Sequence, residues 1–113
     1  ISTLGKYIKS KWIYLGKKNN LKINVYGISS IPKFQIVSKN FDLYKSFITK
    51  KMLENGFLAT NYIFISTSHN KKIIDRYLKV LDNIFYKISL HEQNKIKIDI
   101  SENLYFLTKN FRK

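Results

Sequence analysis

Few residues in this sequence could carry covalent or acid–base chemistry, and His69 is the most conspicuous of them. It sits in Ser66-Thr67-Ser68-His69-Asn70, between an apolar run and a strongly periodic segment. A nucleophile–base–acid set can be written on paper as Ser66, His69 and Asp75, but no strained nucleophile turn surrounds Ser66 to support it. His91 is the second and last histidine. Neither histidine lies at metal-ligand spacing from another donor, and only seven carboxylates exist to complete a site. Gly5, Gly16, Gly27 and Gly56 stand alone, so no glycine-rich phosphate loop is present. Three roles remain open for His69: a turn residue that bonds backbone near a helix start, a group beside an active-site mouth, and a metal ligand.

These groups need elements to place them. Ile1, Leu4, Ile8, Trp12 and Leu15 recur every three or four residues and predict a helix over 1–19, with Asn19-Asn20 as its stop. LKINVYGI at 21–28 and KFQIVS at 33–38 have strand character, and the turn Ser29-Ser30-Ile31-Pro32 makes them an antiparallel hairpin. Pro32 cannot donate to a central ladder. A second helix is expected over 42–55. Asn40 or Asp42 would cap it, Leu43, Phe47, Ile48 and Met52 or Leu53 would form its inner face, and Gly56 would close it. YIFIST at 62–67 has strand character. Asn70 is placed to cap a third helix over 71–90, whose inner positions are Ile74, Tyr77, Leu78, Leu81, Ile84, Phe85 and Ile88. KIKIDI at 95–100 alternates as an edge strand would.

The order helix, hairpin, helix, strand, helix, tail implies an α+β fold. The expectation is a small antiparallel or mixed sheet of about three strands with helices packed on one face. The 113 residues suit one domain, and a domain of this size buries roughly 65% of its unfolded surface. With no cysteine there is no disulfide framework, thiolate metal site or cysteine nucleophile, which fits a reducing, cytoplasmic setting. No apolar run reaches the roughly 20 residues of a membrane span.

The net charge is +14, from 21 basic and 7 acidic residues. Such a balance suggests a polyanion partner. Yet only Arg76 and Arg112 are arginines, the residue type that reads bases and phosphates bidentately. The lysines are scattered through every segment, as a codon bias toward Lys, Asn, Ile, Tyr and Phe would leave them. Nucleic acid is therefore the lesser expectation. The 16 tyrosines and phenylalanines could stack on bases, but they fall mostly at core periodicity.

MLENGFLATNYIFISTSHNKKIIDRYLKVLDNIFYKI at 52–88 resembles the C-terminal small domain of class-III pyridoxal-phosphate aminotransferases, in their glutamate-1-semialdehyde aminomutase-like branch. The matching features are Met52-Leu53, Gly56-Phe57-Leu58-Ala59, Ser66 with His69, Ile74-Asp75 and Tyr77-Leu78. The helix bearing Trp12, the hairpin at 21–38 and Phe111-Arg112 extend the resemblance more loosely over the whole chain.

The resemblance implies that 1–113 is a single small domain, with a large cofactor-binding domain expected ahead of Ile1. That large domain would hold the pyridoxal 5'-phosphate, the lysine that bonds it and the phosphate cradle. No catalytic, cofactor-binding or metal-binding residue is then expected in this chain. Asn61, Ser66 and His69 are its candidates for the substrate side. In the aminomutase proper a glutamate faces the active site where Asn61 stands, which favours a related transaminase. The implied partners are the large domain, a second copy in a homodimer, and small amino and carbonyl substrates. Two other readings stay open: a small basic module for nucleic acid or another polyanion, and a non-catalytic remnant of the aminotransferase fold.

Overall fold

The computed structural model describes residues 2–66 and 69–100. Its elements run α1 (Ser2–Lys18), β1 (Ile23–Tyr26), β2 (Lys33–Ile36), α2 (Phe41–Glu54) and α3 (Lys71–Glu92). This is the expected α+β class: three helices and an antiparallel β1–β2 hairpin. Ile1, residue 67 and the Phe111-Arg112 ending lie outside the described residues.

Each helix is closed by the same local device. A left-handed residue, Asn20, Gly56 or Asn94, follows the helix. The next amide then reaches back to a carbonyl five residues earlier: Leu21 to Gly16 (2.8 Å), Phe57 to Met52 (2.8 Å) and Lys95 to Leu90 (2.9 Å). Carbonyls that the last turn would leave unpaired are satisfied in this way. At the other end of α3, Asn70 Oδ1 accepts from the Ile73 amide at 3.0 Å, the expected cap. The start of α2 differs from expectation. Asn40 precedes the helix but makes no side-chain cap bond. Its Nδ2 is drawn instead to Glu92 (3.2 Å), and Ser38 Oγ accepts from the Asn40 amide (3.0 Å).

The hairpin sorts its side chains by strand alternation. Ile23, Val25, Phe34 and Ile36 face the helices, while Asn24, Tyr26, Lys33 and Gln35 face outward. α1 packs on both strands and on α3, and α2 packs on α3. Trp12 occupies the centre, 4.8 Å from the Phe34 ring, which in turn lies edge-on to Phe85 at 5.6 Å. The buried indole N–H donates to Tyr77 Oη at 3.2 Å, so its polar atom is satisfied. Burying one such large side chain contributes about 1.5–3 kcal/mol. All seven inner positions expected of α3 are buried. α1 comes close enough to the hairpin turn that a Cβ on Gly5 would stand 2.2 Å from the Ser29 carbonyl oxygen.

Among the described residues the sheet has two strands, not about three. Residues 62–66 run beside β2 but pair with it only through the Lys33–Tyr62 bridge. Two residues account for this. A third strand needs reciprocal bonds between Pro32 and Ile63, but Pro32 has no N–H and can only accept (3.4 Å). Opposite Phe34, the Asn61 carbonyl accepts from the Phe34 amide (2.8 Å), but the return bond comes from the Asn61 side chain rather than its backbone. Residues 95–100 likewise form no strand; Ile98 and Ile100 tuck against the core as irregular chain.

Candidate functional site

The sequence features that point to function gather around one strip, residues 56–66, and the turn that leads into α3. Gly56, in a left-handed conformation (φ 83°), turns the chain out of α2. Beyond it the chain alternates: Asn61, Ile63 and Ile65 are buried, while Tyr62 and Phe64 are exposed. Tyr62 stands across from Lys33, and Lys33 across from Tyr26. The outer face of the sheet therefore carries Tyr26 (47% exposed), Tyr62 (37%) and Phe64 (64%), with the Lys33 ammonium 5.8 Å from the Tyr62 ring centre. Leu58, on the same strip, is 91% exposed. Isolated exposed apolar residues are ordinary, but several on one strip mark an interaction surface.

The three candidates play distinct parts. Asn61 is buried and spends its side-chain amide on the Phe34 carbonyl at 3.0 Å. It fixes the strip to β2. Ser66 and His69 meet in the turn. The Ser66 amide donates to His69 Nδ1 at 3.0 Å, and the His69 amide donates to the Ser66 carbonyl at 3.0 Å. Because a backbone N–H can only donate, Nδ1 is an acceptor and the neutral ring carries its proton on Nε2. Ser66 Oγ lies 3.5 Å from the same Nδ1, too far for an activated nucleophile–base pair. Asp75 is engaged by Tyr7 Oη (2.5 Å) and faces Lys71 (3.8 Å). Ser66, His69 and Asp75 thus form no catalytic triad, and His69 holds the turn that presents Asn70 as a cap.

Two clefts flank the strip. One, of about 300 Å3, lies between the end of α2 and the strip and includes Leu53, Phe57, Tyr62 and Phe64. The other, of about 480 Å3, lies between the Gly56–Ala59 loop and the start of α3. Ile63, Ile74 and Tyr77 are buried at its floor, and His69 and Arg76 stand among its lining residues. The Arg76 guanidinium lies 5.2 Å from the Phe57 ring centre, a cation–π contact that steadies the fork. The sequence pattern gives Arg76, Tyr26 and Leu58 no site role. YIFIST reads only as a run of strand character, which does not by itself separate the exposed Tyr62 and Phe64 from the buried Ile63 and Ile65.

A second polar cluster ties α2 to the end of α3. Glu92 accepts from Tyr44 Oη, from Ser38 Oγ (3.1 Å) and from Asn40 Nδ2 (3.2 Å), and Tyr44 Oη lies 2.7 Å from His91 Nδ1. Burial pushes the Glu92 carboxyl up, but the hydrogen bonds from Tyr44, Asn40 and Ser38 outweigh it and hold it below its ordinary value. Burial and the same carboxylate push the Tyr44 phenol well up.

Among the described residues no group of three His, Asp or Glu side chains could hold a metal ion. No described helix is long and apolar enough to cross a membrane. A pyridoxal phosphate site needs a lysine to bond the cofactor, a carboxylate for its ring nitrogen and donors for its phosphate. Among the described residues, neither cleft beside the strip is lined by a lysine or a carboxylate. No family model matches the chain, and neither a curated protein nor a solved structure matches it.

Proposed function

We propose that this chain is the C-terminal small domain of a pyridoxal-phosphate-dependent aminotransferase of the glutamate-1-semialdehyde aminomutase-like kind. In this reading it covers an active site carried by a large domain of the same polypeptide, working as a homodimer. The reaction passes an amino group from a small amino donor to a carbonyl acceptor. The small domain's contribution is to close the site and exclude water. Cofactor and bonding lysine belong to the large domain.

The observation that carries the reading is the outer face of the sheet. α1 and α3 pack on the other side through Trp12, Phe34 and Phe85, and Tyr26, Tyr62 and Phe64 stand exposed, the last two beside the end of α2, on a surface suited to docking. The segments bearing the resemblance, from Met52 through α3, also build the strip, the histidine turn and both clefts. Asn61 is committed to β2, which favours a transaminase over the aminomutase, whose glutamate at that position faces the substrate.

The test is the whole polypeptide encoded with this chain. It is expected to show the cofactor's visible absorbance and amino transfer, and Tyr62→Ser with Phe64→Ser should cut turnover by about tenfold to a hundredfold through misplacement of the lid. A polypeptide without that absorbance, or turnover indifferent to the double variant, overturns the reading.

One observation favours the nucleic-acid alternative: three exposed rings share a sheet face with a lysine, the layout of a base-stacking platform. Lys33 is the one cation on that face among the described residues of β1 and β2. Retention of a labelled single-stranded oligonucleotide at physiological salt, lost in the same double variant, would select this reading instead.

A further inference from the structure

We propose that the cleft between the Gly56–Ala59 loop and the start of α3 is a binding site for a free small carboxylic acid with an aromatic or branched aliphatic body. Its volume, about 480 Å3, lies within the roughly 300–1,000 Å3 of small-molecule sites. The floor and walls are Phe57, Ile63, Phe64, Ile74 and Tyr77, which suit an apolar body. Two polar side chains among the lining can receive a negative group. Arg76 makes no ion pair or hydrogen bond among the described residues, and its planar fork rests over Phe57. His69 commits Nδ1 to the Ser66 amide, which leaves Nε2–H as the ring's remaining donor.

Among the described residues the lining holds no carboxylate, so the guanidinium is open to a counter-ion from outside them. A carboxylate matches the guanidinium fork in a bidentate way. A dianionic phosphate would suffer a larger desolvation cost against these apolar walls. The ligand class is thus an anion of single charge on an apolar body. The inference stands on this cleft alone and does not need the aminotransferase reading, so either can fail without the other.

The probe is 4-phenylbutyrate, titrated into the 113-residue chain at fixed ionic strength and followed by 1H–15N NMR, with 4-phenylbutyramide as the uncharged match. Shifts are expected in Phe57–Ala59, Ile63–Phe64 and His69–Tyr77, with the amide binding about tenfold more weakly or worse. Arg76 is exposed, so Arg76→Gln should leave the remaining spectrum in place and abolish the preference for the acid. Equal affinity for acid and amide, shifts spread over lysine-rich surfaces, or an acid preference that survives Arg76→Gln would each overturn the proposal. A capped peptide carrying Glu beside Phe that outcompetes the free acid would overturn the assignment to a small molecule.

Discussion

Asn61 and Phe34 are joined twice: the Phe34 amide donates to the Asn61 carbonyl at 2.8 Å, and the Asn61 side-chain amide donates to the Phe34 carbonyl at 3.0 Å. The second bond is made by a buried side chain. Removing it leaves the Phe34 carbonyl without that donor. Asn61→Ala is expected to cost about 1–3 kcal/mol, and Asn61→Glu more, because a carboxylate would face that carbonyl. Urea denaturation followed by tryptophan fluorescence reads both through Trp12, which packs on Phe34. An Asn61→Glu protein as stable as the parent would show that the side chain is not committed to the sheet.

His69→Ala removes the acceptor of the Ser66 amide and loosens the turn ahead of Asn70. The expected loss is about 0.5–1.5 kcal/mol, seen as a lower melting temperature. On the proposed aminotransferase reading, a polypeptide carrying this domain should lose stability more than turnover per folded molecule. A large loss of turnover with unchanged melting would place His69 in the chemistry instead.

Glu92 links stability to pH. Its carboxyl is held below the ordinary 4.5 in the folded chain. The unfolded state therefore takes up protons first as the solution is acidified. The stabilisation is fully present above pH 4.5 and is lost as the pH falls from there through the folded value. Asp82, bonded by Asn19 (2.9 Å) and Lys18 (2.6 Å), is also lowered and adds to the same acid limb. Denaturation midpoints across this range should fall with acid in the parent and fall less steeply in Glu92→Gln. An unchanged slope in that variant would mean the Tyr44–Asn40–Ser38 cluster does not hold the charge.

Gly5→Ala sets two effects against each other. Alanine is the better helix former by about 1 kcal/mol. Against that, its Cβ would meet the Ser29 carbonyl oxygen at 2.2 Å, a backbone atom with no rotamer to yield. Overpacking of this kind costs about 1–3 kcal/mol, so net destabilisation is expected in thermal melts. A stabilised Gly5→Ala chain would show that α1 does not approach the hairpin so closely.

The helices were legible in the sequence because their signals are local. Seven apolar positions of α3 repeat with one period, and Asn20, Gly56 and Asn70 punctuate the chain through their own backbone or side-chain bonds. The third strand was misread because hydrophobic alternation reports which side chains turn inward, not whether backbones can pair. Pro32 and Asn61 decided the pairing from opposite sides. Tyr44 escaped notice because its buried hydroxyl is satisfied by residues almost fifty positions away. Arg76 gains its place only when Phe57 comes beneath it, a contact no periodicity reports.

Pro32 has one more effect. With no hydrogen to offer, it leaves residues 61–65 hung from β2 at separate points rather than stitched along their length. A strip fastened in this way keeps its place through the buried side chains of Asn61, Ile63 and Ile65 rather than through a ladder. The rings of Tyr62 and Phe64 ride on that strip, so whatever they touch bears on a panel anchored by side-chain packing and not by a stitched sheet edge.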